Sequence, residues 1–186
     1  MGKLNRDHIV AIFFGLLTLL FVVLSMTNQT FFDWVFDRHH NKLSWYIRPI
    51  FLIPFCFSAY KHCWSGISIT IFALFTSMFW FSRPETVNEN VIQFLQFEKD
   101  YLYGEWSAMK IMMALSIPFS FLALGLSFWK RSLLMGLGVV ILMATGKIIW
   151  SIQNAGDFGK SILTPAIIGV LICCTFIYFG FKKMKK

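Results

Sequence analysis

The chain has 186 residues, enough for one domain, and 57% of them are hydrophobic, 18% aromatic and only 14% charged. A soluble protein of this length has no core large enough for so many Phe, Ile and Leu side chains, so the composition excludes an ordinary water-soluble fold and points to lipid as the solvent. The formal charge of +8 does not indicate nucleic acid. The cations sit at the ends of apolar runs, where they meet anionic headgroups, and no basic face interleaved with aromatics is present.

Residues 1–8 (MGKLNRDH) are polar and basic, and residues 8–26 form an apolar run close to the roughly 20 residues a helix needs to cross hydrocarbon. The run is long for a signal peptide, and SMTNQT offers no small-x-small cleavage site, so a retained first helix is expected. Gly2 is not followed by the Ser or Thr of a myristoylation signal. Residues 28–42, NQTFFDWVFDRHHNK, read as a short aromatic and charged turn in the headgroup zone. Asp33, Asp37 and His40 recur there at i, i+4 and i+7, so one helical face would present two carboxylates and an imidazole. Too few sure ligands stand together to assign a metal, and a solvated face is the expectation.

Residues 44–60 make the second span, with Arg48, Pro49 and Pro54 predicting a kinked or locally unwound helix. Lys61-His62 is a tight turn. Residues 64–81 are the third span, rich in small and hydroxyl side chains that let helices approach closely. Arg83-Pro84 stops that helix. The only long polar interval, residues 81–107, carries Glu85, Glu89, Glu98, Asp100 and Glu105. Thr86 to Glu89 reads as a capping box. Val91, Phe94, Leu95, Tyr101 and Leu102 then recur at helical spacing, with Glu98, Lys99 and Asp100 elsewhere. This predicts an amphipathic helix over about 87–103, lying on the membrane or over the bundle and ended by Gly104. Residues 108–129 are the fourth span, with Lys110 near its start and Pro118 in its middle. Lys130-Arg131 turns into the fifth, residues 132–150, with Lys147 near its end. SIQNAGDFGKS reads as a polar loop, and residues 162–181 are the sixth span.

The predicted fold is therefore an all-α integral membrane protein, a single domain over 1–186 with six transmembrane helices and an outer-face amphipathic helix. With the N-terminus cytoplasmic, Lys3, Arg6, Lys61, Lys130, Arg131, Lys182, Lys183, Lys185 and Lys186 fall inside against Asp7 alone, and every other acid falls outside. That positive-inside distribution puts both termini in the cytoplasm. Trp34, Trp45, Trp64, Trp80, Trp106, Trp129 and Trp150 fall at or beside predicted helix ends, as belt residues do. The expected location is a cell membrane, of the bacterial cytoplasmic type. Ile53-Pro54-Phe55 recurs as Ile117-Pro118-Phe119, and Tyr60-Lys61 as Trp129-Lys130. The two pairs need different offsets, as coincidence in an aromatic-rich chain would give. Cys56, Cys63, Cys173 and Cys174 lie in or at the end of apolar runs and read as buried free thiols rather than a disulfide framework, with metal ligation by the adjacent Cys173–Cys174 pair as the alternative.

Arg48, Lys110 and Lys147 are the informative charges, each within a turn or two of the outer end of a different span. Ionisable groups at that depth snorkel to headgroups, pair with carboxylates, or face a cavity. The functional expectation is the last: convergence on an outward-open cavity between the second, fourth and fifth helices, under residues 81–107. There the cations would neutralise a small anionic molecule or lipid, and Trp106 and Trp150 would stack or cover it; the nearest carboxylates are the outer ones, Glu85, Glu89, Glu98, Asp100, Glu105 and Asp157, of which Glu98 and Asp100 are counted with the site. Trp45, Tyr46, Gln153 and Asn154 could add to the lining. The spans carry no acid to relay protons or sodium, and no Gly-x-Ser-x-Gly, His-Glu-x-x-His or phosphate-cradling glycine loop occurs. No catalytic residue and no cofactor is assigned.

The expected function is binding, with translocation as its extension, and the expected partners are membrane lipids and an anionic small molecule. Two alternatives stay open. One is a non-catalytic subunit docking on other membrane subunits through small-residue faces such as Ala73/Ser77 or Ser132/Gly136. The other is a membrane enzyme acting on a lipid or isoprenoid through Glu98 or Asp100. In size, helix number and outward-facing loops the chain is similar in outline to the substrate-binding subunits of energy-coupling-factor vitamin transporters, a likeness of topology without a residue motif.

Overall fold

The computed structural model describes residues 5–184. Gly2, Lys3, Lys185 and Lys186, on which the lipidation reading and part of the charge argument rest, lie outside the described residues. The described chain is all helical: α1 (Arg6–Thr27), α2 (Gln29–His39), α3 (Leu43–Ile50), α4 (Leu52–Tyr60), α5 (Trp64–Thr76), α6 (Glu89–Tyr103), α7 (Ala108–Trp129), α8 (Leu133–Gly159) and α9 (Leu163–Met184), with 3₁₀ turns after α5 and α8. Three helical stretches are long and apolar enough to cross a membrane: Arg6–Thr27, Ala108–Trp129 and the 52-residue run Leu133–Met184. That last run folds back on itself. Phe128, next to the start of α8, meets Gly136 of α8, and its ring centroid lies 4.9 Å from that of Phe181 at the end of α9. Trp64–Phe79 is apolar but shorter.

The expected second span is broken at Phe51, between α3 and α4. Pro54 has no N–H to offer the carbonyl of Ile50. The Phe51 N–H turns back to the Arg48 carbonyl at 3.2 Å. The carbonyl of Pro49 instead accepts from the Cys173 thiol of α9 at 2.9 Å, so the kink is pinned by a neighbouring helix. Gly169 makes that approach possible: a Cβ there would stand 2.7 Å from the Pro49 ring.

Two buried clusters organise the packing. Phe55, Cys56, Ala59, Leu124, Phe128, Val140, Cys173, Ile177 and Phe181 join α4, α7, α8 and α9. Phe32, Phe36, Trp45, Val91, Phe94 and Leu95 join α2, α3 and α6 at the other end, forming a cap. α1 lies against α5 through Phe14–Phe72 and Phe21–Phe75 edge contacts.

Several local expectations are corrected. Residues 29–39 are not a turn but a helix, because Asn28 caps it by accepting from the Phe31 N–H at 2.9 Å. The Thr86–Glu89 capping box does not form. The N-cap of α6 is Asn88, whose amide oxygen accepts from the Asn90 N–H at 3.0 Å, and Glu89 accepts from the Gln93 side chain. Residues 151–155 are not a loop but the last turn of the helix; their polarity marks departure from an apolar environment. The chain turns back at Gly156 (φ 55°), which brings Gly159 against the Ser151 carbonyl. A side chain at Gly156 would be strained.

The Tyr60-Lys61 and Trp129-Lys130 turns share a conformation. In both turns the residue after Lys takes φ 57°, His62 in one and Arg131 in the other. In both, the next N–H reaches five residues back: Cys63 to Ser58 and Ser132 to Ser127, each at 2.9 Å. The contacts are reciprocal. The His62 ring stacks on Trp129 at 4.2 Å, and the Arg131 guanidinium lies 5.1 Å from the centre of the Tyr60 ring. The proline pair shares none of this, since Pro118 lies inside the continuous α7.

Candidate functional site

The cap is moored by charge as well as by its apolar cluster. Lys99 of α6 pairs with Asp33 of α2 at 2.8 Å, and Arg83 pairs with Asp37 at 2.5 Å. These pairs take up both carboxylates of the Asp33–Asp37–His40 face, and the His40 imidazole bonds to the carbonyls of Phe36 and Asp37. Arg38 donates to the Phe79 carbonyl at 2.6 Å and Asn41 to that of Ser82 at 2.8 Å, tying α2 to the end of α5.

Beneath α6 lies a charged cluster. Glu98 pairs with Lys147 of α8, and its field also reaches Arg48 of α3. Lys147 stands over the rings of Trp150 (4.6 Å) and Phe94 (5.6 Å). His39, buried at 4% exposure, completes the group. Its protonation follows from its neighbours. The Ser44 hydroxyl donates to the Asn41 carbonyl at 2.7 Å, so its oxygen accepts from His39 Nδ1 at 2.8 Å. His39 Nε2 is left to accept from Arg48 Nη1 at 3.4 Å. Burial first, then the nearby charges of Arg48, Lys147 and His40, hold this imidazole well below its ordinary value, in the neutral form.

Lys110 is placed apart from Arg48 and Lys147. It is only 5% exposed, and its ammonium donates to the carbonyls of Gly104 (2.7 Å) and Leu102 (3.3 Å), the free carbonyls at the end of α6. The rings of Trp106 (4.6 Å) and Tyr101 (5.0 Å) flank it. Among the described residues no carboxylate oxygen lies within 4.0 Å of it. Tyr101 links the two groups, its ring 5.2 Å from that of Trp150. Ser107 starts α7 by accepting from the Lys110 N–H, which fixes where the lysine stem departs.

The Val91–Leu95 stretch of α6 is packed on aromatic side chains, Trp45 included. The groove that holds expected site residues opens instead at the C-terminal edge of α6. It has a volume of about 280 Å³ and is lined by Lys110, Asp100, Tyr101, Gly104, Glu105, Ser107, Met109, Met113 and Asn154. Of the expected residues, Lys110, Asp100 and Asn154 meet there with Trp106 against the lysine, while Arg48, Glu98, Lys147 and Trp150 form the charged cluster. A second depression of about 260 Å³ lies over the Asp33–Lys99 and Asp37–Arg83 pairs.

Sequence reasoning missed His39 and Tyr101 and put Glu98 off the apolar face. For His39 and Glu98 a signal existed. His39 falls three residues after Phe36 and seven after Phe32. Glu98 falls three after Leu95, four after Phe94 and seven after Val91, on the face that packs inward. Compared with known proteins, the chain matches no family model, no curated protein and no solved structure.

Proposed function

We propose that this chain is a six-pass protein of a bacterial-type cytoplasmic membrane, with both termini inside and the α2–α6 cap outside, that binds a lipid or small molecule through an anionic group. Two findings support the topology. Tyr60, His62, Trp64, Trp129, Arg131 and Phe181 meet at one end of the bundle, and α2, α6, the start of α3 at Trp45 and the loop holding Glu105 and Trp106 meet at the other. The cations at the first end then face the cytoplasm. Impermeant maleimide applied to intact cells should label Glu105→Cys and spare Lys130→Cys in a Cys63→Ser background. The reverse pattern would overturn the orientation.

One observation carries the binding reading: a buried ammonium, paired with main-chain carbonyls and aromatic rings but with no carboxylate within reach, on the wall of an open groove. Binding rather than catalysis is the activity it favours, because the adjoining acids, Asp100 and Glu105, are exposed. Native mass spectrometry of the protein, purified in mild detergent from its own host, tests it. A discrete non-detergent adduct should be present and be lost in a Lys110→Ala variant that still folds. Co-purification of another membrane protein with no small adduct would move the assignment to a subunit role.

A further inference from the structure

We infer that the groove beside Lys110 is a headgroup site for a phospholipid carrying a primary amine, a zwitterion whose phosphate meets Lys110 and whose ammonium meets Asp100 and Glu105. The inference rests on the binding reading above and names its ligand class.

Size comes first. At about 280 Å³ the groove is at or below the lower end of the range that encloses whole drug-sized ligands. It admits a headgroup, with the rest of the molecule lying outside. The neighbouring surface suits acyl chains: Met109 and Met112 of α7 are 61% and 65% exposed, and Met109 and Met113 line the groove itself. That continuation gives acyl chains a surface beside the headgroup, which favours a ligand drawn from the bilayer.

Charge decides between headgroups. Lys110 supplies one buried positive charge on the groove wall; two of its three donors are given to the carbonyls of Leu102 and Gly104, and among the described residues the third has no hydrogen-bond acceptor. Asp100 and Glu105 line the same groove and are exposed at its rim. Because no carboxylate oxygen comes within 4.0 Å of Lys110, the opposite charges do not neutralise one another directly. A ligand with an anion and a cation a few bonds apart bridges them. The groove as a whole is net negative by one carboxylate, which opposes an anionic headgroup such as phosphoglycerol. A quaternary ammonium offers the two acids no N–H donors, so phosphocholine fits less well than phosphoethanolamine.

The test uses the full chain in nanodiscs containing equal parts phosphatidylethanolamine, phosphatidylglycerol and phosphatidylcholine with identical acyl chains, read by native mass spectrometry. The wild type should retain phosphatidylethanolamine about fivefold over each of the others, the scale of one or two exposed charge pairs. Lys110→Met should lose that retention. The double variant Asp100→Asn/Glu105→Gln changes only exposed side chains, so it should fold, and its preference should invert toward phosphatidylglycerol. If lipid is retained but phosphatidylglycerol equals or exceeds phosphatidylethanolamine, or the double variant leaves the order unchanged, the amine assignment is overturned while the groove stands. If nothing is retained, the binding reading itself falls. Glycerophosphoethanolamine is added as a soluble competitor. If it binds as tightly as the lipid, the bilayer source is overturned.

Discussion

Replacing Glu98 with Gln keeps the shape of the side chain and removes its charge. The carboxylate is 17% exposed and its partner Lys147 41% exposed, so this pair lies between a surface pair, worth about 0–1 kcal/mol, and a buried one, whose disruption costs about 3–5 kcal/mol. Loss of Glu98 also leaves Arg48 and Lys147 facing a neutral His39 with no counter-charge. A cost of about 2 kcal/mol to the docking of α6 is expected once solvent screening of the exposed lysine is allowed for. That corresponds to roughly a 30-fold rise in the population of the undocked cap. Hydrogen exchange of the Val91, Phe94 and Leu95 amides, which lie on the buried face of α6, should accelerate by that factor, while amides in α7 and α9 stay unchanged. Adding Lys147→Met should recover part of the loss, because it removes the stranded cation. If Glu98→Gln exchanges within twofold of wild type, the cluster does not hold the cap and the electrostatic account of α6 is wrong.

Phe94 is 1% exposed at the centre of the cap cluster. Phe94→Ala should destabilise the cap by about 3–5 kcal/mol, seen as exchange of all α6 amides at rates near those of an unfolded segment. At Gly180 an added Cβ would stand 2.3 Å from the Phe57 ring. Gly180→Ala should therefore cost about 1–3 kcal/mol and lower the thermal midpoint in detergent, with Gly138→Ala, where nothing lies within 4 Å, as the near-neutral control. Acid should loosen the cap through His39. Its folded value is held below the ordinary 6.5 by burial and by Arg48 and Lys147, so the undocked state takes up the extra proton. The contribution is complete above that pH and is lost as pH falls below it, by up to about 1.4 kcal/mol per pH unit. His39→Gln should flatten that slope between pH 7 and 5.

The long apolar runs were legible because hydrocarbon imposes a length and a composition. α1 and α7 begin and end within about two residues of the expected limits. Less legible was everything decided between elements. The break at Phe51 was foreseeable from Pro49 and Pro54, but nothing local announces that Cys173, 124 positions away, bonds the exposed carbonyl. Polarity was read as loop in residues 28–42 and 151–161, although Asn28 and Ser151 to Asn154 are compatible with helix. At the site, the sequence gives depth but not azimuth. Arg48, Lys110 and Lys147 all sit near span ends, yet Lys110 departs from α7 toward the end of α6 while Lys147 pairs with Glu98 and Arg48 with His39. The cap was expected as a covering segment. That its apolar face is packed by Phe32, Phe36 and Trp45, with the Lys110 groove at its edge, depends on α2 being helical.

The matched turns at His62 and Arg131 bear on how the chain assembles as it is made. His62 and Trp129 are 67 positions apart, an interval that takes about 3 to 13 s to synthesise at ordinary elongation rates. Through that time the first hairpin has its left-handed turn but none of the stacking that rewards it. When the second emerges, both contacts close at once, because each turn supplies the surface the other needs. The α4–α5 and α7–α8 hairpins thus register against one another as a pair, through contacts that neither makes alone.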